Sequence, residues 1–95
     1  MSAAQPDIVV YSSAFCGYCA AAKRLLQHKR LSYEEIDVLS EPGKRDEMIA
    51  RSGRQTVPQI FIGGRHVGGF DDLNLLEKSG ELDALIEAAT NPQST

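Results

Sequence analysis

The stretch that decides the fold runs from Asp7-Ile8-Val9-Val10-Tyr11, through Ser12-Ser13-Ala14-Phe15-Cys16, to Gly17-Tyr18-Cys19-Ala20-Ala21-Ala22-Lys23-Arg24-Leu25-Leu26. Its first five residues carry the apolar run Ile8 to Tyr11, three of them β-branched, bounded by Pro6 and by Ser12-Ser13, the pattern of a short buried strand. The period then changes. Tyr18, Ala22, Leu25 and Leu26 recur at helical spacing and leave Lys23, Arg24 and Gln27 on the other side, which predicts an amphipathic helix from Gly17 to about Lys29. Cys16 and Cys19 therefore fall where a loop leaving a strand enters a helix.

Further along, Ser32 to Val38 reads as a second strand with Ile36 and Val38 on one face. Ser40-Glu41-Pro42 prepares a helix from Gly43 to Arg51, since proline suits a helix start, and Gly53 ends it. After Thr56-Val57-Pro58, the run Gln59-Ile60-Phe61-Ile62 is a third strand, and Gly63-Gly64 is a two-residue hairpin returning Arg65 to Gly68 as an antiparallel edge strand. Gly68-Gly69 breaks that strand. Asp71 or Asp72 can then cap a helix bearing Leu73 and Leu76 and, after a kink near Gly80, Leu82, Leu85, Ile86 and Ala89. The order is β-α-β-α-β-β-α, with one or two helical pieces at the end. A strand-helix-strand start implies a parallel right-handed crossover, whereas the hairpin pair is antiparallel. The expectation is an α/β chain with a four-stranded mixed sheet and helices on both faces. It forms one domain over residues 1–95, with a core at about 7–89 and tails at 1–6 and 91–95.

Composition fits a chain of this size. The sequence has 95 residues, of which 42% are hydrophobic, enough for a small core without staples. Ten Lys and Arg against 13 Asp and Glu give a net charge of −3, which disfavours general nucleic-acid binding. Apolar runs such as Ile8 to Tyr11 are far shorter than the roughly 20 residues of a membrane span, and Met1 to Asp7 does not read as a secretory signal. The chain is expected to be intracellular. With only two cysteines, a disulfide scaffold is disfavoured, and in a reducing compartment the Cys-x-x-Cys pair points to redox or metal chemistry. Structural zinc wants four ligands, and His28 and His66 are not paired at short spacing, so neither histidine is given a role.

The redox reading has a physical basis. A thiolate attacks disulfide sulfur, and a cysteine at a helix N-terminus has its thiolate stabilised by unpaired backbone N–H groups and the helix dipole. Cys16 occupies that place and reads as the nucleophile; Cys19, about one turn further in, reads as the resolving thiol. The Thr56-Val57-Pro58 tripeptide admits two readings. It is a plain loop before a strand, or a cis X-Pro loop whose preceding N–H and C=O are free to pair with a peptide-like substrate. Gly68-Gly69-Phe70-Asp71-Asp72 adds a close backbone approach and a helix start that offers N–H groups to a carboxylate.

Cys16-Gly17-Tyr18-Cys19, Thr56-Val57-Pro58 and Gly68-Gly69-Phe70-Asp71-Asp72, in that order, resemble the glutaredoxins, particularly the small bacterial dithiol type. The resemblance spans about Ile8 to Ala89 and implies the thioredoxin-like fold. It separates the chain from thioredoxins, which usually carry Trp before a Cys-Gly-Pro-Cys site, since this sequence has no Trp. It also implies a glutathione site. Val57 would pair by its backbone with the cysteinyl part of glutathione, with Thr56 beside it, and Pro58 would be cis. The γ-glutamyl end would be held after the double glycine, at Gly69, with Phe70 and Asp71 contributing backbone N–H groups and Asp71 or Asp72 meeting its ammonium. Tyr18, before the second Cys, would also bind glutathione, and Arg45 would meet the glycyl carboxylate.

Two departures from the family pattern bear on function. Ser13 stands where many members have lysine, which removes a cation near the nucleophile. Gly17 stands where proline is common, and in the family small residues there accompany members that hold a [2Fe-2S] cluster between two subunits. The resemblance thus implies a cytoplasmic glutathione-dependent thiol-disulfide oxidoreductase acting on glutathionylated and disulfide-containing proteins, monomeric as an enzyme. The alternative is a cluster-bridged homodimer in which Cys16 and glutathione ligate [2Fe-2S].

Overall fold

The computed structural model describes residues 6–90, so the expected tails at 1–5 and 91–95 lie outside the described residues. Pro6, which the sequence assigns to a tail, is buried. Four strands and four helices follow: β1 (Ile8–Ser12), α1 (Gly17–His28), β2 (Glu34–Asp37), α2 (Lys44–Ser52), β3 (Gln59–Ile62), β4 (Arg65–Gly68), α3 (Phe70–Ser79) and α4 (Glu81–Thr90). The sheet order is β2-β1-β3-β4. β1 pairs parallel with β2 and antiparallel with β3, and β3 pairs antiparallel with β4. The mixed sheet is therefore as expected, with β1 and β3 in its centre.

A central strand covered on both faces must be apolar on both, and β1 and β3 are. Ile8, Val10, Ile60 and Ile62 face α1, α3 and α4, where Ala22, Leu26, Leu73 and Leu82 close one core. Tyr11 and Phe61 face the other way, packing with Ile36, Val38 and Met48 beneath α2. Tyr11 is fully buried, and its hydroxyl is satisfied by donating to Glu47 and accepting from Arg51 Nη1 at 2.8 Å. Arg51 also lies 4.2 Å over the Phe61 ring, a cation–π contact that fastens α2 to the sheet.

The ends of elements depart from expectation where backbone geometry takes over. Pro42 does not open α2. Gly43, left-handed at φ 79°, is its N-cap, and Gly53, at φ 73°, its C-cap. Neither Asp71 nor Asp72 is the N-cap of α3. Gly69 is, and Asp72 sits in the first turn and reaches back to accept the Gly69 N–H at 3.0 Å. The kink near Gly80 is a full break: this residue ends α3 at φ 83°, and α4 begins after it. The Gly63-Gly64 hairpin has positive φ at both positions, 59° and 83°, as a type I′ turn requires.

Candidate active site

Cys16 is the N-cap of α1, with extended backbone at φ −112° and ψ 109°, and its sulfur accepts the Cys19 N–H at 3.1 Å. The two cysteines form a disulfide with Cα atoms 5.2 Å apart. Their surroundings differ. Cys16 is half-buried and opens to the surface, whereas Cys19 is 1% exposed among the α1 residues of the core. Only Cys16 is accessible to an external sulfur, as the sequence anticipates. The first turn of α1 carries no acidic residue to oppose a thiolate.

The residue before Cys16 is unusual. Phe15 has φ 62°, and its side chain is fully exposed. A bulky residue in the left-handed region is strained by about 1–3 kcal/mol, so the surrounding turn holds it there. On this side of Cys16 a hollow of about 500 Å³ is lined by Ser13, Phe15, Gly17, Lys23, Glu35 and Asp37, among others. Its one cation, Lys23, is taken by Glu35 at 2.7 Å, which also accepts from Ser12 Oγ. Those two bonds, with Lys23 first, hold the Glu35 carboxyl below its usual range. With Ser13 in the hollow, stabilisation of a Cys16 thiolate falls to backbone N–H groups rather than to a side-chain cation.

On the other side of the sulfur is a cleft of about 350 Å³. It is built from three separate segments. Tyr18 of α1 stacks on Phe70 of α3 with ring centroids 6.3 Å apart. Thr56, Val57 and Pro58 form its floor, with the Val57–Pro58 bond cis and the Val57 carbonyl oxygen 3.9 Å from the Cys16 sulfur. Gly69, Phe70, Asp71 and Asp72 form the far wall. The Val57 N–H has no hydrogen-bond partner among the described residues, and the first-turn amides of Phe70 and Asp71 have no intrahelical acceptor. The structure therefore brings Tyr18, Thr56, Val57, Pro58, Gly69, Phe70, Asp71 and Asp72 together beside Cys16.

Arg45 is not among the lining residues. Its Nη1 donates to the Gln55 carbonyl at 3.1 Å, which ties the start of α2 to the loop leading into Thr56. The cation lining the cleft is Arg54, which pairs with Asp72 at 3.1 Å. Asp72 is thereby doubly engaged, and the Gly69 N–H first, then Arg54, hold its carboxyl below the usual range. Asp71, exposed and without a partner among the described residues, has the carboxylate free to meet an ammonium.

Sequence reasoning missed Arg54 and Gln59 as lining residues. For Gln59 a signal was present: a glutamine in an otherwise apolar central strand is buried, here to 1% exposure, and must find partners. One of those partners is His66, to which sequence reasoning assigns no role.

Among the described residues no group of three His, Cys, Asp or Glu converges as a metal site, and no helix is long and apolar enough to cross a membrane.

A family model described as Glutaredoxin matches residues 8–67. A glutaredoxin of Pseudomonas aeruginosa is 49% identical over 83 residues, 87% of this chain and 99% of that protein. Glutaredoxin 3 of Escherichia coli K12 is 47% identical over 81 residues, 85% of this chain and 98% of that protein. Among solved structures, a buckwheat glutaredoxin–glutathione complex superposes with a TM-score of 0.80 at 31% identity, covering 88% of this chain and 79% of that one.

Proposed function

The chain belongs to the glutaredoxin family and is a glutathione-dependent thiol-disulfide oxidoreductase, and on that premise we propose that Cys16 is its nucleophile, Cys19 its resolving thiol and the neighbouring cleft its glutathione site. The observation that carries the assignment is the asymmetry of the pair: a half-buried Cys16 sulfur at a helix N-cap, 3.9 Å from the Val57 carbonyl, bonded to a Cys19 that is 1% exposed.

With a glutathionylated protein, the Cys16 thiolate attacks the glutathione sulfur, a new Cys16–glutathione disulfide forms, and the protein thiolate leaves and takes up a proton. A second glutathione thiolate attacks the glutathione sulfur of that intermediate, releasing oxidised glutathione and restoring the Cys16 thiolate. With a protein disulfide, Cys16 forms a mixed disulfide to one substrate sulfur. Cys19 then attacks the Cys16 sulfur and expels the reduced substrate, leaving the Cys16–Cys19 disulfide. Two glutathiones return that disulfide to two thiols and leave joined to each other as oxidised glutathione.

The cleft accounts for glutathione recognition group by group. The unpaired Val57 N–H and carbonyl pair with its cysteinyl backbone. The first-turn amides of Phe70 and Asp71 meet the γ-glutamyl carboxylate, where a helix N-terminus favours an anion. The Asp71 carboxylate takes the ammonium. Arg54 in the cleft, and Arg45 in the first turn of α2 where it bonds the Gln55 carbonyl, are the cations offered to the glycyl carboxylate. Tyr18 and Phe70 cover the apolar middle. The domain proposed to act in this way is the single unit spanning about residues 7–89, in a reducing, cytoplasmic setting where reduced glutathione is supplied.

A cluster-bridged homodimer is the second reading, prompted by Gly17, where an added Cβ would meet open space. The residues of one chain do not fit a metal by themselves, since only Cys16 presents an accessible thiolate. Anaerobic reconstitution with iron, sulfide and glutathione separates the two readings. A monomeric, colourless protein that turns over a small glutathionylated disulfide leaves the enzyme alone. A coloured, glutathione-dependent dimer that Gly17→Pro abolishes supports the carrier. Absence of glutathione-dependent turnover in the freshly reduced protein overturns the site assignment.

A further inference from the structure

Beneath the cleft, two side chains outside the reacting groups control how the cleft floor faces glutathione. Gln59 is the first residue of β3, opposite Tyr11 of β1 and 1% exposed. Its Nε2 donates to the Thr56 carbonyl at 3.0 Å and to Thr56 Oγ1 at 3.2 Å. Its Oε1 lies 2.7 Å from His66 Nε2. His66 sits on β4 opposite Phe61, with the two rings 5.0 Å apart, so the imidazole is held in place by packing as well as by the bond.

The chemistry fixes every donor in this chain. A carbonyl oxygen can only accept, so the Gln59 NH₂ must face Thr56, and Oε1 must then face His66. His66 Nε2 therefore carries the proton and donates to Oε1. A turned amide would set oxygen against the Thr56 carbonyl, and a His66 without the Nε2 proton would set a lone pair against Oε1. All the polar atoms of a buried side chain are satisfied in only one orientation, and that orientation is held from His66.

What it orients is a peptide group. The Thr56 C=O and the Val57 N–H belong to one planar unit, in which oxygen and hydrogen point in opposite directions when the bond is trans. The cis bond recorded in this loop is the next one, Val57–Pro58. Holding the Thr56 oxygen from below therefore aims the Val57 N–H upward, away from the sheet and into the cleft. A hydrogen bond to the carbonyl also polarises the peptide and makes that N–H a better donor. Thr56 Oγ1 accepts from Gln59 and keeps its own proton to donate.

We infer that Gln59 and His66 are positioning residues for glutathione: His66 orients the Gln59 amide, and Gln59 fixes the Thr56–Val57 peptide so that its N–H faces the tripeptide. The inference rests on the reading of the Thr56-Val57-Pro58 loop as part of the glutathione site. It predicts a role in binding the co-substrate rather than in activating Cys16.

The test is the apparent KM for glutathione, set against kcat, for four variants. His66→Phe keeps a ring against Phe61 and removes the donor, and it is expected to raise KM roughly three- to tenfold while changing kcat less than about twofold. His66→Gln places an N–H near the same point and is expected to return KM to within about twofold of wild type. Gln59→Leu is expected to raise KM at least as much as His66→Phe does, and the double variant Gln59→Leu/His66→Phe no further, because the histidine acts only through the amide. Reduction of the Cys16–Cys19 disulfide by dithiothreitol, which needs no cleft, is expected to be unchanged in all four. An unchanged KM in His66→Phe, equal effects of His66→Phe with and without Gln59, or a parallel loss of dithiothreitol reactivity each overturns the inference. A second measurement separates its failure from failure of the site. In Cys19→Ser protein converted to its Cys16–glutathione mixed disulfide, the Val57 amide resonance is expected to move from its position in the reduced form. If it does not move, the glutathione reading of the loop falls and the positioning role falls with it; if it moves while KM ignores His66, only the positioning role is lost.

Discussion

Replacing Gly68 with alanine tests the packing that sets the cleft's far wall. Gly68 has φ 124°, a backbone that side chains rarely adopt, and a Cβ placed there would overlap the Asp72 carboxylate, 2.7 Å from its Cγ and 3.0 Å from its Cβ. The carboxylate must rotate away and abandon both the Gly69 N–H and Arg54, while Asp72 Cβ, fixed to α3, stays in tight contact. Strained backbone costs about 1–3 kcal/mol and a lost helix-start hydrogen bond about 0.5–2 kcal/mol. The Arg54 pair adds at most about 1 kcal/mol, since it is surface-exposed. Gly68→Ala is therefore expected to destabilise by about 2–4 kcal/mol, a large share of the roughly 5–14 kcal/mol that holds a chain of this size together. Gly69→Ala is the control, with φ −91° and a nearest contact of 3.4 Å to the Pro58 carbonyl, and is expected to cost under about 1 kcal/mol. Urea unfolding of the reduced proteins, followed by far-UV circular dichroism because the chain has no Trp, gives both values. The coupling with Asp72 is the decisive reading: Asp72→Ala is expected to cost about 0.5–2 kcal/mol alone and close to nothing on top of Gly68→Ala. Equal costs for the two glycine variants, or additive effects of Gly68→Ala and Asp72→Ala, refute the reasoning.

Cys16→Ser is expected to abolish all exchange, whereas Cys19→Ser keeps deglutathionylation and loses dithiol reduction of protein disulfides; equal loss of deglutathionylation in both reverses the assignment. Alkylation of the reduced protein at mildly acidic pH, read by peptide mass, is expected to mark Cys16 well before the buried Cys19. Arg54→Ala and Arg45→Ala are each expected to raise the glutathione KM by a few-fold at most, and Ser13→Lys to lower it. These effects should shrink in high salt, as for exposed charges worth about 0.2–1 kcal/mol. Glu35 titrates below its ordinary value of 4.5, so its pairing stabilises the fold above about pH 4.5 and is lost as pH falls through the folded-state pKa. The stability gap between wild type and Glu35→Gln, measured by urea unfolding across pH, is therefore expected to be below about 1 kcal/mol near neutrality and to close toward pH 3.

The elements themselves were legible because each is written in contiguous residues. Apolar runs at Ile8 to Tyr11 and Ile60 to Ile62, helical spacing from Tyr18 to Leu26, and the Gly63-Gly64 turn each carry a local periodicity or a local φ requirement. Cys16 at a helix start is local in the same sense, and so its chemistry could be argued before any packing was known. Three ordered motifs then sufficed for the family resemblance and, through it, for Tyr18, Thr56 to Pro58 and Gly69 to Asp72, though not for Arg54 or Gln59.

Tertiary structure decided which side chain meets which. Val57 lies beside Cys16 across 41 positions of sequence because β1 and β3 are neighbours in the sheet, and no spacing rule encodes that adjacency. Asp72 turns back to Gly69 instead of capping from its own position, because the cap of α3 lies two residues before Asp71 and three before Asp72. Pro6 is buried although its sequence neighbours read as tail. Arg54, not Arg45, lines the cleft, since Arg45 bonds Gln55 and Arg54 reaches Asp72. His66 gained its place only when the β3–β4 register set it opposite Phe61 and within reach of Gln59. Backbone preferences are local free energies and can be read one segment at a time. The partners of polar side chains are chosen by sheet register and by the cost of burying a polar atom unpaired, and both arise only once the chain has closed on itself.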